Sequence, residues 1–382
     1  MNAVSSVISI YIGIFVNLYI WEPAHSIEEV SFFNLVMFLV WGLAFTLGAK
    51  LLVRFTIRLL VGLAAAGGGA AFAYLMTVQL DNRLLWIALL GVAVGGMSGF
   101  SSAAQNLPIA LIGKGPEFAP YFAAQSLIAQ VLSIAVPMAS AKVIDAFGYR
   151  GSFALMLVFL GVMLFYAFRI PRITLPAPVG PEQTAHFGTF SFRLAFGYPG
   201  AKWVLCSLLA AGLFLQFQNL FGLLFTFSVT QDRLLIALLN ALYTAAALLG
   251  LWLYRRYVLG ESRWLWIGTV LIAAALLIVI IPLPAMRIAS NTLSALGMFY
   301  FLTVWNSQQF RMIQECNSVQ VTSFLVWREG VLVLTRCIML SCTLFLDALH
   351  GAGFISLIGL TLLSLLAIPY FQSRAVRIYE KR

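Results

Sequence analysis

The chain of 382 residues carries 62% hydrophobic side chains, 9% charged ones, a mean hydropathy of +0.97 and a formal net charge of +10. No soluble core of this length hides so much apolar surface, so lipid must solvate most of the chain, which excludes soluble enzymes and nucleic-acid-binding domains. In hydrocarbon every backbone polar group needs an internal partner, which leaves helices or closed barrels. Apolar runs of about 20 residues, rather than alternating stretches of about ten, select helices.

Twelve such runs follow one another: residues 3–21, 31–53, 57–79, 84–106, 118–144 and 151–169, then 203–227, 234–254, 263–283, 287–310, 320–346 and 351–371. The first run reads as a span and not as a signal peptide. It lacks a basic leading region, and Trp21-Glu22-Pro23-Ala24 is a poor cleavage context. It opens almost at Met1, so a start farther upstream fits the pattern equally well. Between the sixth and seventh runs, Ile170 to Gly200 holds Pro171, Pro176, Pro178, Pro181 and Pro199 among polar residues. Such a stretch neither continues a helix nor crosses lipid, so 170–200 is expected to link a six-helix bundle at 1–169 to another at 201–382. Cys206, Cys316, Cys337 and Cys342 show no paired spacing and read as ordinary small apolar residues.

Basic residues set the orientation. With the N-terminus cytoplasmic, the inner loops and tail hold sixteen: Lys50, Arg54, Arg58, Lys114, Arg169, Arg172, Arg193, Lys202, Arg255, Arg256, Arg263, Arg311, Arg374, Arg377, Lys381 and Arg382. The outer side holds five: Arg83, Lys142, Arg150, Arg233 and Arg287. This asymmetry follows the positive-inside rule and places both termini in the cytoplasm. The basic balance is therefore a topology signal, and no nucleic-acid partner is expected.

An offset of 202 relates the two halves. Phe15, Asn17 and Leu18 return as Phe217, Asn219 and Leu220; Gly48 and Arg54 as Gly250 and Arg256; Asp145 as Asp347; Arg172 as Arg374. Two similar bundles of membrane helices are the architecture of alternating-access transporters, whose sites lie near the midplane. Asp145 and Asp347 close the outer ends of the fifth and eleventh spans and read as structural.

Six plus six spans, a long linker and a basic loop after the second span of each half resemble the major facilitator superfamily. Phe147-Gly148-Tyr149-Arg150-Gly151-Ser152-Phe153 is similar to that superfamily's frequent turn between spans five and six. Its loop after span two is only partly present: Gly48, Arg54 and Arg58 are there, the acidic residue is missing, and Gly250 with Arg255-Arg256 is similarly eroded. More narrowly, Phe15-Val16-Asn17-Leu18-Tyr19-Ile20-Trp21, Phe33-Asn34-Leu35 and Arg328-Glu329-x-x-Leu332-x-x-x-Arg336 resemble a bacterial subfamily of that group, with Thr335 where a glycine is usual. The resemblance implies an all-α membrane fold and solute transport across the cytoplasmic membrane. It names no substrate.

Polar residues inside spans are candidates for the site, because a charge at the membrane centre costs several kcal/mol and normally faces the bundle interior with a partner. Glu329 and Arg336 are seven residues apart, about 700° of helix, and so share a face within roughly 20°. Arg328 lies about 100° away from Glu329. Three readings stay open: an anion-attracting Arg336 with Glu329 as the proton carrier, a structural ion-pair network, and an Arg328 that snorkels to the surface. Asn17 and Asn219 face inward on either reading, as substrate contacts or as interhelical hydrogen bonds. Asn34, Asn240, Gln125 and Gln130 are further candidates for substrate contact. Gln105-Asn106 and Asn306-Ser307-Gln308-Gln309, at cytoplasmic ends, read as caps or gate contacts, and Gly91, Gly95, Gly96 and Gly99 as a packing stripe.

The expected function is that of a secondary active transporter of a small solute, monomeric and proton-coupled. A lipid or amphiphile flippase on the same fold is the alternative. No cofactor or metal is expected, and no nucleophile–base constellation in the spans suggests an enzyme.

Overall fold

The computed structural model describes residues 2–112, 115–170, 189–313, 316–346 and 348–380, with side chains described at all of these except 2, 109–112, 115–127 and 318. The helix α1 (Asn2–Tyr11) runs through a π-helical turn (Ile12–Val16) into α2 (Asn17–Ala24). Then come α3 (Ile27–Arg54), α4 (Ile57–Thr77), α5 (Arg83–Ile112) and α6 (Gly115–Arg169), followed by the short α7 (Phe192–Ala195). The remainder is α8 (Ala201–Val229), α9 (Arg233–Arg256), α10 (Glu261–Ile278), α11 (Pro284–Ile313), α12 (Ser318–Thr343) and α13 (Ala352–Tyr379).

Among the described residues, ten helical stretches are long and apolar enough to cross a membrane, one of them Ile128–Arg169 with 42 residues. At Gly148 (φ 68°, ψ 179°) the helical path breaks, in a conformation that glycine adopts without a Cβ penalty. The turn expected around Gly148 is thus present, and it makes two crossings of that stretch. The twelfth crossing is α12, which carries Arg328, Glu329 and Arg336. The chain is a multi-pass membrane protein, and its described residues are all-α with twelve helical crossings. Mid-helix side chains such as Leu43, Val158, Val270 and Leu363 lie largely exposed, as a surface solvated by acyl chains requires.

The helices group into two compact units. The first comprises residues 1–25, 29–195 and 316–337, and the second 26–28, 196–315 and 338–382. Most of α12, including its three charges, therefore packs with the first unit.

In the first unit α3 and α5 meet at backbone contact. A Cβ on Gly95 would collide with the Met37 carbonyl oxygen, and one on Gly99 would lie 2.5 Å from that of Trp41. Gly91 would press on Val36 at 3.0 Å, whereas Gly96 has open space. The stripe is therefore a packing seam at three of its four glycines. Polar clasps hold the helix ends: Arg83 Nε donates to both oxygens of Glu29 at 2.7 and 2.8 Å, and its Nη2 to the Ile20 carbonyl at 2.9 Å. Gln105 donates to Ser5 and Ser101, whose hydroxyls meet at 2.8 Å, so it links helices as expected of a polar residue at a span end.

In the second unit α10 and α11 cross at a reciprocal glycine contact. A Cβ on Gly268 would lie 2.8 Å from the Gly297 carbonyl, and one on Gly297 2.9 Å from that of Gly268. Asn291 Nδ2 donates to the Gly222 carbonyl at 2.8 Å and reaches Thr226 at 3.2 Å and Tyr243 at 3.4 Å, joining α11 to α8 and α9. Arg311 bridges Glu261 at 3.6 Å and Glu380 at 3.5 Å, which ties together the ends of α10, α11 and α13.

Candidate functional site

On α12 the exposed positions Trp327, Gly330, Leu334 and Ile338 recur every three or four residues and define its outer stripe. Glu329, Leu332, Val333 and Arg336 occupy the opposite face, as the seven-residue spacing requires. Glu329 is 8% exposed. This face meets α3, where Val333 packs so closely on Gly42 that an added Cβ would lie 3.0 Å from Val333 Cγ1. The aromatic side chains of α3 stand at the same level. Arg336 Cζ lies 4.9 Å from the Phe38 ring centre and 6.0 Å from that of Trp41, within range of the ring quadrupoles.

Arg336 Nη1 approaches Glu329 Oε1 at 3.7 Å. That is too long for a charge-assisted hydrogen bond, which sits near 2.7–2.9 Å. The Arg83–Glu29 clasp, at 2.7 Å, shows how this chain builds a structural ion pair. Glu329 and Arg336 attract one another but are not locked. Arg336 Nε and Trp41 Nε1 are both buried, and neither has a hydrogen-bond partner among the described residues.

One turn earlier on α3 from Phe38, Asn34 Nδ2 donates to Asn17 Oδ1 at 2.9 Å and to its own helix at the Val30 carbonyl. Asn17 follows directly on the π-helical turn, and its Nδ2 donates to the Ile12 and Gly13 carbonyls at 3.3 and 3.0 Å. A widened turn tilts carbonyls out of the regular ladder, and this amide satisfies them. With its donors and acceptor engaged, Asn17 works as a clasp between α2 and α3. Removing one partner should therefore undo most of what both contribute. In a double-mutant cycle, Asn17→Leu and Asn34→Leu should couple by about 0.6–2 kcal/mol in detergent unfolding. Strict additivity would mean that the bond contributes nothing.

The structure thus pairs Asn17 with Asn34 and sets the Glu329–Arg336 pair against Phe38, one turn farther along α3. Arg328 is half-buried about a quarter turn from Glu329. Asn240, in the second unit, is half-buried and bonds its own helix at the Ile236 carbonyl. Asn219 is exposed on α8, in surroundings unlike those of Asn17. On α8, interhelical polar contacts come from Ser207, Gln218, Gly222, Thr226 and Ser228. The side chain of Gln125 lies outside the described residues, as does Asp347.

Sequence reasoning missed Phe38 and Trp41. Their spacing from Asn34, four and seven residues, placed them on its face and was the available signal. It also missed the strap at the end of the linker, where the Phe190 carbonyl accepts the Trp327 indole N–H at 2.6 Å. A cleft of ≈ 400 Å³ lies elsewhere in the first unit, among Tyr19, Glu22, Asp81, Trp86, Tyr149 and Arg150, and none of the expected site residues line it.

No protein-family model and no curated protein matches the sequence. Solved structures do match the fold. A POT family transporter in complex with 5-aminolevulinic acid aligns with a TM-score of 0.73 at 11% identity, covering 99% of this chain and 95% of that one. Another, in complex with a thioalcohol conjugated peptide, aligns at 0.71 and 12% identity over 98% and 95% of the two chains. A third, from a study of substrate recognition in proton dependent oligopeptide transporters, aligns at 0.67 and 13% identity over 99% and 96%. The fold is that of these POT family transporter structures. At these identities the likeness establishes architecture, and the chemistry has to be argued from the residues.

Proposed function

We propose that the chain is a secondary active transporter of the cytoplasmic membrane, with both termini cytoplasmic, which moves a small solute by alternating access coupled to protons. Glu329 is the group that takes and releases the proton. The observation that carries this reading is the loose Glu329–Arg336 pair at 3.7 Å, buried on a membrane helix. Burying two charges costs several kcal/mol each, and only close, well-bonded geometry repays it. A pair held at this distance leaves part of that cost outstanding, so the two groups can part as the site opens to either side. The Asn17–Asn34 clasp and the α3–α5 glycine seam hold the partner helix α3 in register for that exchange. The likeness of the fold to proton dependent oligopeptide transporters supports the same reading.

Reconstituted protein should admit protons down an imposed pH gradient only when a transported solute is added, as read by a pH dye inside the vesicles. Solute flux without proton movement would remove the coupling. Scrambling of a fluorescent lipid without solute flux would favour a flippase instead.

A further inference from the structure

The guanidinium of Arg336 has two hydrogen-bonding edges, and Glu329 addresses only one of them. Nη1, the nitrogen that meets Glu329, is cis to Cδ; the side edge formed by Nε and Nη2 points the other way. Nε on that edge is buried without a partner among the described residues, and so is the indole Nε1 of Trp41, whose ring centre lies 6.0 Å from Arg336 Cζ. Buried donors left unpaired carry an uncompensated desolvation cost, which is why native proteins rarely keep them without a use. Both donors belong to rigid, planar groups. The guanidinium lies against Phe38, which limits its rotation and leaves its edge presented.

We propose that the Nε/Nη2 edge of Arg336, together with the Trp41 indole N–H, binds an oxyanion of the cargo. The ligand class is a small molecule with a carboxylate, phosphonate or phosphate group, two oxygens on the fork and one of them shared with the indole. This rests on the transport reading above and adds the substrate class to it. Charge arithmetic then links cargo to proton. The empty pair, Glu329⁻ with Arg336⁺, is neutral, and so is protonated Glu329 with Arg336⁺ and a monovalent anion. The half-loaded states carry a net charge, which is costly to move through a low-dielectric path. Beside Arg336, α12 presents Glu329 and Cys337, and α3 presents Phe38 and Trp41. Arg328 adds a further charge about a quarter turn away. One anion therefore travels with one proton, and transport of a monovalent anion is electroneutral.

The test uses full-length protein in detergent with benzoate, phenylphosphonate and inorganic phosphate, each organic anion against a neutral isostere, benzamide or benzyl alcohol. Oxyanions should raise the melting temperature where the isosteres do not. Arg336→Lys keeps the charge and removes the fork, so binding should weaken roughly tenfold, the loss of one charge-assisted hydrogen bond. Trp41→Phe keeps the ring and removes the donor, and should weaken binding about threefold. If neither variant can be purified folded, the wild-type comparison still decides. A panel in which no oxyanion outdoes its isostere overturns the proposal, as does unchanged binding in both variants. In vesicles, competition between benzoate and scrambling of fluorescent phosphatidylglycerol would place the oxyanion on a lipid headgroup; no competition places it on a soluble cargo. Proton-coupled flux of only neutral or cationic solutes would sink the subsite and leave the transport reading standing. Oxyanion binding at Arg336 without any solute-driven proton flux would do the reverse.

Discussion

Glu329→Gln is expected to abolish pH-driven accumulation while sparing exchange of solute for solute. Glutamine matches the shape of the protonated carboxyl and keeps its hydrogen-bonding capacity, but it cannot release a proton. With one proton per solute, a gradient of one pH unit is worth about 1.4 kcal/mol and sustains about tenfold accumulation. In the variant that ratio should fall to about one, because nothing ties the orientation of the carrier to the proton gradient. Exchange requires only that the loaded site reorient, and a permanently neutral residue at 329 leaves the loaded site in its normal charge state. The variant does leave the Arg336 charge without its counterion, so some loss of stability is expected as well. Counterflow measured in the same vesicles separates the two effects, since an unfolded carrier loses exchange together with accumulation. An unchanged pH response would make the pair a structural clasp, comparable to Arg83 and Glu29 at 2.7 Å.

The fold was legible because hydrocarbon enforces it. Unbroken apolar runs must be helices, and the turn between two of them falls at Gly148, where glycine takes a positive φ without a Cβ penalty. Glu329 and Arg336 were legible for the same reason: charges stand out against an apolar helix, and a spacing of seven fixes their common face. Partners on other helices were not. Nothing in the spacing of Asn17 and Asn34 says that their amides meet, since that depends on how α2 and α3 are set against each other. The π-helical turn that aims Asn17 leaves no mark in composition either. Phe38 and Trp41 were hidden by abundance, because aromatic residues are 14% of this chain and a stripe of them normally means packing. The 202-residue offset does not carry over to side-chain environment. Asn17 is buried and bonded, whereas Asn219 is exposed.

The seam between α3 and α5 should respond sharply to one methyl group at the right position. Gly99→Ala would place a Cβ 2.5 Å from the Trp41 carbonyl oxygen, and Gly95→Ala would drive one into the Met37 carbonyl. Both obstacles are backbone atoms within a helix, so no side chain can rotate away and the two helices must separate. Overpacking of this kind costs about 1–3 kcal/mol per site. Alanine simultaneously improves helix propensity by up to about 1 kcal/mol, which offsets part of that cost. Gly96→Ala supplies the control, since its Cβ would meet open space and only the propensity gain remains. Thermal unfolding in detergent should rank Gly96→Ala at or above wild type, with Gly95→Ala and Gly99→Ala clearly below it. The consequence reaches the site, because the carbonyl displaced at Trp41 belongs to the residue whose ring faces Arg336. Gly99→Ala should therefore also weaken whatever binds at Arg336, even in protein that remains folded. If Gly99→Ala melts with Gly96→Ala, α3 and α5 are not in backbone contact, and the placement of Trp41 beside Arg336 loses its support.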